Sequence, residues 1–242
     1  MASGPVFGPF CKSSDPSVVE VLGRAGFDFV ILDMEHGPNS IETTQNLIRA
    51  AEVSGILPIV RVPEGNCETI AKVLDVGAAG VQAPQISEAR DVRRLVSAAR
   101  FAPLGERGVC RYVRAAEYSS MDKGTYFRQA NEALLIIQLE GQAALRNLDE
   151  ILDVKGPDVV FVGPYDMSQS LGVPREVDHP RVPEKTGEIV KACLDRNIAV
   201  GNFTETPEQA ARWIRQGVRY MSFSVDLGLL YQAASRVLVE LR

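Results

Sequence analysis

The chain has 242 residues, 45% of them apolar and 24% charged, with a net charge of −5 at neutral pH. Such a composition predicts a large buried core and excludes a disordered chain. Its acidic balance argues against a nucleic-acid or anionic-membrane surface. The opening MASGPVFGPF has no basic stretch followed by a long apolar run, and no other run is long enough to span a bilayer, so a cytoplasmic protein is expected. Cys11, Cys67, Cys110 and Cys193 form no CxxC pair and read as reduced thiols.

Short apolar, β-branched runs alternate with longer amphipathic ones. The first strand is expected over Pro5–Phe10, with a helix from about Asp15, capped by Ser14 or Asp15. FDFVILD, Phe27 to Asp33, reads as the second strand, followed by a helix from Ser40. LPIVR, Leu57 to Arg61, is the third, and its helix ends at Gly77. Ala79–Pro84 and Ser87–Ala99 form the fourth unit. Residues 100–131 break the rhythm and predict an extended loop with a short helix; loops of that length in compact domains tend to be functional. Strand and helix then resume over Ala133–Glu140 and Ala143–Leu152. Pro157–Pro164 pairs with a helix around Val182–Arg196. Asn197–Gly201 precedes a helix over Pro207–Gln216, and Val218–Ser224 leads into a last helix, Asp226–Leu241. Strands that are apolar throughout belong to parallel sheets covered on both faces. Eight such units predict one (β/α)₈ barrel over 1–242, with an open doubly wound sheet as the alternative.

Catalysis in such barrels sits at the C-terminal ends of strands. The polar residues falling there are Asp33, Glu35 and His36, then Arg61, Gln82, Gln138, Glu140 and Asp166. Two carboxylates emerging from neighbouring apolar strands, Glu140 and Asp166, suit a hard divalent cation such as Mg²⁺ or Mn²⁺. Capping of the helices that follow is the plainer alternative. His36 beside Asp33 and Glu35 has the composition of a general acid/base, or of a hydrogen-bonded surface turn ahead of Gly37-Pro38-Asn39. Arg61 calls for an anion: a substrate oxyanion, or Asp75 or Glu64 in a purely structural pairing. The turn Gly163-Pro164-Tyr165-Asp166 could receive a carboxylate on backbone N–H groups.

FDFVILDMEHGPNS, LPIVRVP, VLDVGAAGVQAP, ERGV, LLIIQLEG, ILDVKGPDVVFVGPYDMS and Val225-Asp226 together resemble, in order and over nearly the whole chain, the HpcH/HpaI family of class II pyruvate aldolases. The resemblance implies a barrel of the phosphoenolpyruvate/pyruvate type. It implies a divalent ion (Mg²⁺, Mn²⁺ or Co²⁺) on Glu140 and Asp166, with Gln138, Gly163, Pro164 and Tyr165 in the substrate pocket. Arg61 would contact the enolate oxygen and His36, supported by Asp33, would handle the proton. Asp75 would tune the base, if need be across a subunit boundary. The implied partners are a 2-oxo acid and an aldehyde, and the implied assembly is a hexamer, a trimer of dimers exchanging the last helix. Tyr165 and the arginine- and tyrosine-rich segment 110–118 depart from the family pattern on the aldehyde side, where Arg111 or Arg114 could bind a distal carboxylate.

Three other readings remain open at this point. A Schiff-base aldolase needs a lysine at a strand end, for which Lys12 is the candidate. A citrate synthase-like enzyme would join acetyl-CoA to oxaloacetate on the same barrel. A binding protein without catalysis would promote no proton exchange at the methyl group of pyruvate.

Overall fold

In the computed structural model, which describes residues 4–63 and 67–242, eight parallel strands close into a barrel in chain order, and the first pairs with the eighth. The elements are β1 (Val6–Cys11), α1 (Pro16–Arg24), β2 (Phe29–Asp33), α2 (Ile41–Ser54), β3 (Leu57–Arg61) and α3 (Cys67–Asp75). Then come β4 (Gly80–Ala83), α4 (Ala89–Ala99), a 3₁₀ turn (Arg114–Ser119), α5 (Lys123–Ala130), β5 (Leu134–Leu139), α6 (Gln142–Arg146) and α7 (Leu148–Leu152). The chain closes with β6 (Val159–Val162), α8 (Pro164–Ser170), α9 (Arg181–Leu194), β7 (Ala199–Thr204), α10 (Pro207–Arg215), β8 (Tyr220–Val225) and α11 (Asp226–Glu240).

The strands are mostly apolar because both of their faces are covered. Val30, Leu32, Val60, Val81, Leu135, Ile137 and Val160 face outward against the helices. Phe10, Phe29, Ile31, Ile59, Ile136, Phe161 and Tyr220 fill the interior, with Phe29 stacked on Tyr220 at 4.1 Å between ring centroids. This inner plug makes the barrel a packed core, so a ligand can be held only at its rim.

Helix starts follow the expected chemistry. Asp15, not Ser14, caps α1 by accepting from the Ser17 N–H, and Ser40 caps α2 by accepting from the Thr43 N–H. Several expected boundaries shift. The helix expected over Ala143–Leu152 is broken into α6 and α7 at Asn147, which leaves helical dihedrals (φ −106°, ψ 16°) while its amide donates to the Ser87 carbonyl at 2.9 Å. β7 runs on past Gly201 to Thr204 because β8 continues to pair with it, Thr204 opposite Phe223. A short helix, α8, intervenes between β6 and α9. Among the described residues no helix is long and apolar enough to cross a membrane.

Candidate active site

Strand register builds the first half of the site. β2 and β3 pair with Asp33 opposite Arg61. The two side chains form a bidentate ion pair, Nε to Oδ1 at 2.9 Å and Nη2 to Oδ2 at 2.7 Å. Asp33 is fully buried and Arg61 nearly so, and the guanidinium lies 4.5 Å above the Phe10 ring. Burial acts to raise the Asp33 carboxyl, but Arg61 prevails and holds it below the ordinary carboxylate range. Asp33 Oδ1 also accepts the backbone N–H groups of Glu35 and His36, which bends the chain into a tight turn. A Cβ on Gly37 would lie 2.2 Å from the Asp33 carbonyl oxygen, so only glycine fits there.

The His36 ring therefore meets Glu35, not Asp33. His36 Nε2 lies 3.9 Å from Glu35 Oε2, and that same oxygen is 3.0 Å from Arg61 Nη1. The contact with Arg61 is off the hydrogen-bond direction, which leaves Glu35 Oε2 buried without a bond. Burial pushes the Glu35 carboxyl up, against the pull of Arg61 and His36.

The second half comes from β4, β5 and β6. A relay of amides fixes Glu140: Gln82 Nε2 donates to Gln138 Oε1 at 2.6 Å, Gln138 Nε2 donates to Glu140 Oε2, and the Gln85 N–H donates to Glu140 Oε1 at 2.8 Å. Glu140 is buried, and burial pushes its carboxyl up to about 7 despite these hydrogen bonds, with the charges of Asp166 and Glu35 adding to the rise. Gly163 keeps the carboxylate's flank open, since a Cβ there would stand 2.5 Å from Glu140 Oε2. Asp166 sits in the first turn of α8, exposed to the rim. Neither acid caps a helix: Gly141 and Gly163 hold the N-cap positions, with no side-chain cap bond.

His36, Arg61, Gln138 and Asp166 line one cavity of about 330 Å³, together with Lys12 and the aromatic rings of Phe10, Phe161, Tyr165 and Phe203, while Asp33 and Glu140 stand behind them, bonded to Arg61 and Gln138. Tyr165 Oη donates to Glu205 Oε2 at 2.5 Å, and burial with that neighbouring carboxylate pushes the phenol up to about 12. A larger cavity, about 710 Å³, lies by the residues that lead into β4 and β5, under the 100–131 segment, and contains none of the rim residues. Size alone would favour it; the converging charged groups place the chemistry in the smaller one.

The structure thus brings together Asp33, His36, Arg61, Gln138, Glu140, Gly163, Pro164, Tyr165 and Asp166. It does not bring Asp75 to them. α3 runs back along the barrel and leaves Asp75 at its far end, where the carboxylate takes Arg107 Nη2 at 2.6 Å. Arg61 is matched by Asp33 and Glu35 rather than by Asp75; Glu64 lies outside the described residues. Arg111 and Arg114 also stand apart from the cavity. Arg111 donates to the carbonyls of Ser119 and Met121, and Arg114 pairs with Glu52. Sequence reasoning placed Glu35 at the rim and Lys12 at a strand end, but it did not single out Glu35 over Asp33 as the carboxylate that the His36 ring meets, nor Phe10 beneath Arg61.

A rim where buried Asp33 and Glu140, half-buried Glu35 and exposed Asp166 gather beside one arginine and one histidine, above a closed parallel barrel, defines a TIM-barrel enzyme acting on a small polar molecule. The model of the HpcH/HpaI aldolase/citrate lyase family matches residues 7–233. A 2-keto-3-deoxy-L-rhamnonate aldolase of Salmonella paratyphi A is 36% identical over 238 residues, 96% of this chain and 87% of that protein. Among solved structures, an HpcH/HpaI aldolase/citrate lyase family protein from Burkholderia cenocepacia J2315 superposes with a TM-score of 0.94 at 30% identity, covering 99% of this chain and 95% of the other. The citrate synthase SbnG superposes with a TM-score of 0.89 at 31% identity, covering 98% and 93%. The chain belongs to the HpcH/HpaI aldolase/citrate lyase family, and it is an enzyme of the carbon–carbon lyase class.

Proposed function

We propose that this enzyme is a metal-dependent aldolase that cleaves and forms 4-hydroxy-2-oxo acids, with pyruvate or a close 2-oxo acid as donor and an aldehyde as acceptor. The observation that carries the reading is the placement of Asp166 and Arg61 on one cavity together with Gln138, whose amide holds the buried Glu140, a carboxylate that feels the charge of Asp166. The donor set fits a hard divalent cation. Glu140 is a buried carboxylate raised by desolvation and by its acidic neighbours, and no described residue bonds the Asp166 carboxylate. A cation held by both would offset the desolvation of Glu140. When bound, Mg²⁺, Mn²⁺ or Co²⁺ supplies Lewis acidity beside a keto oxygen.

The chain's own groups complete the chemistry. Gln82 and Gln138 hold Glu140 in one orientation. Arg61, fixed by Asp33, keeps further N–H donors on Nη1 and Nη2 for the oxyanion that forms when the donor's methyl carbon becomes nucleophilic. Backbone N–H groups of Tyr165 and Asp166 precede the first helical hydrogen bond, Met167 N–H to Gly163 carbonyl, and receive the donor's carboxylate. His36, with Glu35 behind it, takes the proton of the 4-hydroxyl in cleavage and returns it in synthesis. The Salmonella relative is named for a 2-keto-3-deoxy acid, which belongs to this substrate class.

The direct test is a coupled assay for pyruvate release from racemic 4-hydroxy-2-oxo acids. Activity abolished by EDTA, restored by Mn²⁺, and lost in both Glu140→Gln and Asp166→Asn is expected. Activity that survives EDTA, together with borohydride trapping of pyruvate on Lys12, would point to a Schiff base instead. The likeness to SbnG favours a second reading, condensation of acetyl-CoA with oxaloacetate, which a thiol-release assay separates from aldehyde addition.

A further inference from the structure

The first half of α4 carries three arginines on one face. Arg90, Arg93 and Arg94 stand at i, i+3 and i+4 and converge on a cavity of about 370 Å³, bounded also by the start of α3 and by Glu106 beyond the end of α4. This cavity shares no residue with the catalytic one. In a chain with a net charge of −5, the cluster gathers positive charge on the end of a helix whose dipole favours the opposite sign. Like charges at these spacings also cost the helix stability.

The acids nearby do not offset that charge. Glu88 takes Arg90 at 2.6 Å. Asp91 Oδ2 accepts the N–H groups of Ser87 and Glu88 and the Ser87 hydroxyl, which closes the start of α4. Among the described residues no carboxylate pairs with Arg93 or Arg94. The facing wall has another character. The Glu106 carboxylate accepts the Ser97 hydroxyl at 3.2 Å and keeps further lone pairs toward the same space. Cys67 and Ala98 complete the lining with small side chains, and among the described residues no aromatic ring borders it.

We propose that this cavity binds a sugar phosphate, with the phosphate on Arg93 and Arg94, backed by Arg90, and the sugar hydroxyls on Glu106 and Ser97. A guanidinium fork meets phosphate oxygens two at a time, and two such forks without acidic partners suit one phosphate. A carboxylate opposite them repels a second anionic group but accepts hydroxyl protons. With no ring to stack on, a nucleobase finds no partner here. The volume suits a small ligand, since such pockets start at about 300 Å³. The inference concerns binding outside the catalytic cavity and stands independently of the aldolase reading.

The test is isothermal titration calorimetry of the Mg²⁺-loaded enzyme with ribose 5-phosphate, inorganic phosphate and ribose as separate titrants. Wild type is expected to bind one ribose 5-phosphate per chain, inorganic phosphate more weakly, and ribose not at all. Arg93→Gln and Arg94→Gln should each raise the Kd for ribose 5-phosphate about 10-fold, as for a lost charge-assisted hydrogen bond. Glu106→Ala should remove the advantage of ribose 5-phosphate over inorganic phosphate. All three positions are exposed, so the substitutions leave the fold intact. Absence of binding overturns the inference. So does inorganic phosphate that binds as tightly as ribose 5-phosphate. An affinity unchanged in both arginine variants would place the phosphate elsewhere, and overturns it too.

Discussion

Arg61 and Asp33 stand opposite one another on paired strands and meet, both buried, through two parallel hydrogen bonds of 2.9 and 2.7 Å. The pair gives Arg61 one orientation, so its remaining N–H donors act without reorganisation when an oxyanion develops. Arg61→Lys keeps the charge but loses the planar fork. A fall in kcat of about 10²–10³-fold is expected from steady-state kinetics of pyruvate release, with a much smaller change in KM.

Asp33→Asn leaves a buried guanidinium short of its partner, and a loss of about 3–5 kcal/mol in urea unfolding is expected. The same pair gives the wild type a pH signature. Its folded-state carboxyl is held below the unfolded value, so the stabilisation is present above about pH 4 and is lost as pH falls through the lower folded value. Urea midpoints of wild type and Asp33→Asn should therefore converge as pH drops below 4 and stay apart at neutral pH.

Glu35 and His36 are expected to act as a unit, because the ring nitrogen lies 3.9 Å from a carboxylate oxygen that accepts no hydrogen bond and is otherwise paired with Arg61. His36→Asn should lower kcat by about 10²–10⁴-fold. Adding Glu35→Gln to it should cost much less than Glu35→Gln alone. Additive losses in the double-mutant cycle would mean that the two residues work separately.

α11 exposes Leu227, Leu230, Tyr231, Val237, Leu238 and Val239, and only Asp226 in it is buried. An apolar helix of this kind marks an interaction surface. A homo-oligomer, the hexamer implied by the family resemblance, is the expected cover, with Asp75 brought to a neighbouring subunit's site. Light scattering of Leu230→Glu/Val237→Glu should show a smaller particle than wild type; an unchanged mass would place the interface elsewhere.

Much of this was legible in the sequence because a parallel barrel buries its strands on both faces. FVILD, LPIVR, LLIIQL and VVFV are unbroken apolar runs, and the polar residues that end them are by necessity rim residues. Asp33, Arg61, Gln138, Glu140 and Asp166 could be found on that basis. Side-chain direction within turns could not. That His36 faces Glu35 depends on Asp33 folding the turn through its backbone N–H groups, and Lys12 enters the cavity because a carboxylate distant in sequence, Asp226, holds its root. Residue spacing does not reveal that α3 carries Asp75 to the far end of its own barrel, which leaves its expected role to a subunit boundary.

The account depends on a carbanion being generated beside Glu140, Asp166 and Arg61. NMR of pyruvate in deuterium oxide, without any acceptor, measures that step alone. The prediction is loss of the methyl proton signal with enzyme and Mg²⁺, and no loss with EDTA or with Glu140→Gln. Methyl protons that persist in the fully loaded wild-type enzyme would contradict it.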